Sequence, residues 1–159
     1  MYGSLSAANA YHLARNNTEW AGANDTVKNG ALQRATDYID STYRSRFPGT
    51  KTGGRAQLLS WPRTGVIDAD SQTIADNEVP IEVESATYEA AFLIVKGIEL
   101  NPVTQSGSVK RERVKSGPVE SETEYADDAE TYSSFAIIDN LLANILGVAS
   151  GTEYELLRA

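Results

Sequence analysis

The stretch that decides the fold is EVPIEVESATYEAAFLIVKG, Glu78 to Gly97. Pro80 stands where a first-turn proline belongs, its φ preset for a helix and its missing N–H a group that the first turn leaves unpaired anyway. Glu82 and Glu84 follow, where the positive end of the helix dipole favours negative charge. The run from Ala90 to Val95 is apolar nearly all round, which suits a helix enclosed by its neighbours. Lys96 falls in the last turn, and Gly97, Asn101 and Pro102 end the helix. The segment reads as the central, most buried helix of a small bundle.

Three more helices are predicted around it. The first opens after Ser4 or Ser6, either of which can cap free amides, and stops at Asn16-Asn17; Thr18 then caps a short turn carrying Trp20. The second runs from Asn24 or Asp25 to about Tyr43. Its apolar positions Val27, Ala31, Leu32, Ala35, Tyr38, Ile39 and Tyr43 follow helical spacing, with Arg34, Asp37 and Asp40 on the outer side. The fourth spans Tyr132 to Leu146, with Phe135, Ile138, Leu142 and Ile145 in one stripe that Leu141 and Leu146 widen. Between the third and fourth, VKRERVK and VESETEYA flank Ser116-Gly117-Pro118 and read as a hairpin over 109–125, one strand basic and the other acidic. The expected fold is therefore mainly α: about four helices in a small bundle, a long 44–79 connection and a hairpin insertion. Residues 1–146 form one domain, and 147–159 a tail with an apolar grip at Tyr154, Leu156 and Leu157.

Composition fits this. A chain of 159 residues that is 41% hydrophobic and 23% charged can build an ordinary core without staples. With no cysteine, disulfides, thiolate metal sites and a cysteine nucleophile are excluded. The first residues lack the charged and apolar regions of a signal peptide, and no apolar run is long enough to cross a bilayer. The Asn-x-Thr matches at Asn16 and Asn24 are accordingly read as chance.

The net charge of −8 argues against a generic nucleic-acid coat. Charge is also segregated. Residues 34–63 hold six Lys/Arg against two acids, and 66–100 hold eight acids against one Lys. Residues 110–115 are basic again, and 120–130 carry six acids. Solvated faces show such blocks, and so do self-assembling subunits whose acidic face meets a neighbour's basic one.

Catalytic chemistry is hard to assemble. The single histidine, His12, reads as a surface residue of the first helix. DADSQTIADNE from Asp68 has Thr73 and Val79 where a calcium loop needs Gly and Glu. GTKTGGRA from Gly49 has Arg55-Ala56 where a phosphate loop needs Lys-Ser/Thr. No catalytic residue, metal or cofactor is expected. Arg44, Arg46, Lys51 and Arg55, with Arg63 and the aromatic face of Phe47, could touch phosphate backbones and stack bases, which keeps a single-stranded-DNA binder open as an alternative. In LLSWPRTGV, Leu58, Leu59 and Trp61 read as an apolar anchor around Pro62. Arg63 is expected to pair with a carboxylate.

In order, YGSLSAANAYHLARNNTEWAGA, ALQRATDYIDSTY, GGRAQLLSWPRTGV, EVPIEVESATYEAAFLIVKG and VKRERV…VESETEYA resemble the head–tail connector (adaptor or head-completion) proteins of tailed bacteriophages. Some members of that look-alike group are labelled DnaT-like single-stranded-DNA-binding proteins. The resemblance spans roughly residues 2 to 126. It implies a non-enzymatic subunit of a homo-oligomeric ring, commonly of twelve copies, in the virion neck and assembled in the host cytoplasm. Such a ring docks beneath the portal protein and offers a platform to the next connector or tail-terminator protein. Double-stranded DNA passes through it without sequence-specific contacts, and no membrane is involved. The hairpin, with Lys110, Arg111, Arg113, Lys115, Glu120, Glu122 and Glu124, would face the lumen or a neighbouring subunit. Tyr154, Leu156 and Leu157 would touch the portal or a neighbour.

Overall fold

The computed structural model describes residues 1–100, 112–116, 119–123 and 135–146. The chain divides into a helical unit, Met1–Leu100 with Ser134–Ala159, and a second unit, Asn101–Ser133. The helical unit is mainly α, as expected.

Helix α1 (Leu5–Ala14) begins where Ser4 Oγ accepts the Ala7 N–H at 3.2 Å. It stops as Asn16 enters the left-handed region (φ 53°). A short helix α2 (Thr18–Gly22) carries Trp20 inward. Asn24 Oδ1 then accepts the Val27 N–H at 2.9 Å and opens α3 (Asp25–Tyr43). The buried face of α3 comprises Lys28, Ala31, Leu32, Ala35, Thr36, Tyr38, Ile39 and Tyr43. Val27, expected among them, is 48% exposed: in the first turn it is Lys28, one position on, that takes the buried face.

Helix α4 (Ile81–Val95) packs along α3. Pro80 is its N-cap rather than its first helical residue, and its carbonyl accepts from Val83 and Glu84 N–H. The end is a Schellman motif: Gly97 at φ 79°, with Ile98 N–H to Leu93 O and Gly97 N–H to Ile94 O, both 2.9 Å. Burial peaks earlier than the apolar run suggested. Val83, Ala86, Thr87, Tyr88, Glu89, Ala90 and Ala91 are buried, whereas Phe92 to Val95 are half-buried. Small residues share that burial on both helices: Ala31 and Ala35 on α3, and Ala86, Ala90 and Ala91 on α4. Helix α5 (Ala136–Leu142) packs on α4, burying Ile138, Leu142 and then Ile145 as the stripe required. It begins later than the sequence suggested, with Phe135 at its N-cap, and ends in a turn after Leu142; residues 132–134 lie outside the described residues.

The 44–79 connection is more ordered than expected. Strand β1 (Thr50–Lys51) pairs antiparallel with β2 (Arg63–Thr64) around a 3-10 turn at Gly54–Ala56, and β3 (Val66–Ile67) pairs with β4 (Thr73–Ile74). Asp68 Oδ1 closes the β3–β4 turn by accepting from Asp70 and Gln72 N–H. Ala69 N–H to Asn144 O ties that turn to the end of α5.

The second unit contains the expected hairpin, β5 (Glu112–Ser116) antiparallel to β6 (Val119–Thr123). Its register sets Arg113 opposite Glu122 and Lys115 opposite Glu120. Lys110, Arg111, Glu124, Tyr154, Leu156 and Leu157 lie outside the described residues.

Candidate functional site

The Trp61-Pro62-Arg63 motif sits at the junction of three distant segments. Trp61 is 1% exposed and meets Phe47 edge-on at 5.6 Å between ring centres. The Trp61-Pro62 bond is cis. The Trp61 N–H donates to Tyr2 Oη at 3.2 Å, and Tyr2 Oη donates to Asp40 Oδ1. Asp40 Oδ2 also accepts the Ser60 N–H at 2.9 Å, and Tyr2 N–H donates to Thr36 Oγ1 at 3.1 Å. Burial first, then the Asp40 carboxylate, push the Tyr2 hydroxyl well above the usual tyrosine range. Asp40 therefore faces inward and not, as its spacing suggested, to the outer side: N–H and O–H donors from two other segments converge on it.

Among the described residues Arg63 pairs with no carboxylate. Its guanidinium is an internal clamp on backbone carbonyls: Nε donates to Pro48 O at 2.5 Å, Nη1 to Ser60 O at 3.3 Å, and Nη2 to Phe47 O at 3.2 Å and Gly49 O at 2.6 Å. Five donors in a rigid fork suit this irregular stretch, where short ladders leave carbonyls without sheet partners. Burial lowers the guanidinium's proton affinity.

Leu58 is not part of the anchor; it is 93% exposed. Gln57 explains why. Its Nε2 donates to Leu59 O and Pro62 O, both at 2.9 Å, and its Oε1 accepts the Gly53 N–H at 2.8 Å. The amide fills the inside of the turn, and the next side chain is carried outward. Leu59 is half-buried and Trp61 alone forms the deep plug.

Five cations were candidates for nucleic-acid contact, and the structure separates them. Arg44, Arg46 and Arg55 are exposed, with the Arg46 guanidinium 5.9 Å above the Tyr43 ring. Lys51 is half-buried and donates to Gln57 O at 3.0 Å, and Arg63 is committed to its carbonyls. Phe47, at 5% exposure, is core and cannot offer a face to a base.

His12 is buried rather than a surface residue. Its ring packs 4.3 Å from Trp20 and 5.3 Å from Phe92, centre to centre. Asn17 Nδ2 donates to Nδ1 at 2.9 Å, which leaves the ring proton on Nε2 in the neutral form. Burial, with smaller opposing help from the Tyr88 carbonyl and repulsion from Arg15 and Lys28, lowers its pKa to about 4. Beside it, Tyr11 Oη donates to Glu89 at 2.9 Å, and Arg15 stacks 3.4 Å over the Tyr11 ring. Burial and then Glu89 push the Tyr11 hydroxyl up to about 12. Through these contacts the cluster packs α1 and α2 against α4. The one sequence signal was its company: Tyr11 is the adjacent residue of α1, and Trp20 is carried by the next helix. Among the described residues no group of three His, Cys, Asp or Glu could hold a metal, and no helix is long and apolar enough to cross a membrane.

No curated protein and no solved structure matches the chain. The family described as "Putative DnaT-like ssDNA binding protein" matches over residues 1–159. That description names single-stranded-DNA binding and not a head–tail connector. Matched along its whole length, the chain belongs to this DnaT-like family.

Proposed function

We propose that the chain is a structural subunit of a phage head–tail connector ring, docking below the portal, extending the DNA channel and carrying the tail-side platform. The observation that carries this reading is the hairpin unit, distinct from the helical one and registered with basic positions opposite acidic ones. An isolated two-stranded hairpin is marginal in water, and a neighbouring subunit supplies the surface it needs. The order of sequence motifs over residues 2 to 126 supports the same reading. An overall charge of −8 suits a conduit that must not retain duplex DNA. The test is to mix the purified chain with portal protein and image the product. Rings seated on the portal are expected, and a chain that forms no ring, alone or with portal, would sink the reading.

The family description favours a second reading, a single-stranded-DNA binder. Here Arg44, Arg46 and Arg55 are the candidate contacts, because Lys51 and Arg63 already hold backbone carbonyls. Three phosphate contacts would give a slope of log affinity on log salt of about −2 for single strands. Oligonucleotide titration at low salt decides: binding that a triple Arg→Ala variant abolishes supports this reading, and absence of binding removes it.

A further inference from the structure

Leu58 is the most exposed large hydrophobic side chain among the described residues, at 93%, yet the turn that carries it is firmly braced. Gln57 bonds to three backbone groups within the turn, and its own carbonyl accepts from Lys51 Nζ at 3.0 Å. On the other side, Ser60 N–H is held by Asp40 and Trp61 N–H by Tyr2. An added Cβ on Gly53 would stand 3.2 Å from Gln57 Oε1, so even the turn's small residue is fitted to the brace. The bonds that seat the buried Trp61 also fix the backbone beside Leu58, so this outward leucine stands on a rigid turn. A rigid apolar knob is what a central interface contact requires, since its ordering cost is met before binding.

We propose that Leu58 is the anchor by which one copy of this chain docks on a second copy, an inference that rests on the ring-subunit reading. Charge identifies the partner. The knob is flanked by exposed Arg55, with Arg44 and Arg46 exposed in the same basic segment, so its receptor must be apolar and acidic. The segment from β3 to the start of α4 carries residues of that chemistry: Ile67 and Ile81 are 60% and 70% exposed, and Asp70, Asp76 and Glu78, which fall between them in sequence, are exposed. Opposite charges across the contact fix the choice of partner and its orientation.

The test compares the full-length wild type with Leu58→Asp and Leu58→Met by sedimentation velocity over a concentration series, alone and with portal. Because position 58 is exposed, both variants should melt with the wild type, so lost assembly cannot be lost folding. Leu58→Asp should weaken self-assembly about tenfold or more, as removal of an interface anchor does, while Leu58→Met retains it. A photo-crosslinking residue at position 58, in mixed isotopically labelled protein, should join two copies through residues 67–81. Rings that form equally well with Leu58→Asp overturn this inference and leave the ring reading intact. Normal rings that no longer seat on the portal assign Leu58 to the portal instead, and overturn it too. A wild type that never self-associates, alone or on the portal, overturns both.

Discussion

Replacing Arg63 by Lys keeps the charge and removes the fork, which isolates what the clamp contributes. In the native fold three nitrogens reach four carbonyls, on Phe47, Pro48, Gly49 and Ser60. A lysine ammonium carries three N–H donors on one centre and can serve at most three of the four. At least one carbonyl in a region where Arg63 is only 9% exposed would lose its donor. That loss is at least ~1–1.5 kcal/mol. For a domain of this size it corresponds to a fall in Tm of roughly 2–6 °C. Arg63→Met removes every donor and should cost more than Arg63→Lys. The assay is urea unfolding followed by tryptophan fluorescence, since Trp61 is buried two residues away. An Arg63→Lys midpoint indistinguishable from wild type would refute the clamp. Equal losses for Lys and Met would show that charge or packing, not the fork, matters.

Trp61→Ala should cost about 3–5 kcal/mol as a core truncation, while Leu58→Ala, two residues upstream and exposed, should stay within about 0.5 kcal/mol of wild type in the same unfolding series. Gly3 adopts φ 68°, and a Cβ there would lie 2.0 Å from Tyr88 Oη; Gly3→Ala should destabilise by at least ~1 kcal/mol. Adding Tyr88→Phe should recover part of that loss in a double-mutant cycle, because the hydroxyl is the nearest obstacle and has no hydrogen-bond partner among the described residues. His12 has a pKa of about 4 when folded, below the unfolded value of about 6.5. Between these values the unfolded chain binds more protons, so stability falls as pH drops from about 6.5 to 4, at up to ~1.4 kcal/mol per pH unit. His12→Phe should flatten that part of the pH–stability curve measured by chemical denaturation; an unchanged slope would show that His12 is not its source.

The helices were legible because their signals are local. Asn24, Gly97 and the spacing of Ala31, Leu32, Ala35, Tyr38 and Ile39 each act within one turn of themselves, and the structure uses them as read. What could not be read depends on partners far along the chain. Asp40 lies on the face that periodicity assigns to solvent, and only Tyr2 and Ser60 turn it inward. Arg63 binds carbonyls where a carboxylate was expected, because irregular backbone, invisible to residue type, provides the acceptors. Leu58 is apolar and adjacent to core residues, yet the amide of Gln57 decides its direction. Phe47 carried the same ambiguity in reverse: an aromatic in a basic segment is a base-stacking candidate until Trp61 claims its face.

Tyr2 also dictates an order of events. Its hydroxyl accepts from Trp61 across 59 positions of sequence and donates to Asp40 across 38. Ribosomes deliver residue 2 well before any of the groups it binds. Closing so long a loop is entropically costly until the groups that reward it are in place. Helix α3 can form early and hold Thr36 and Asp40 ready. The Ser60-Trp61 segment must follow, and only then does Tyr2 have somewhere to go. A segment made before all of its partners is thus among the last to settle, and its docking reports that residues 2–61 have been correctly gathered.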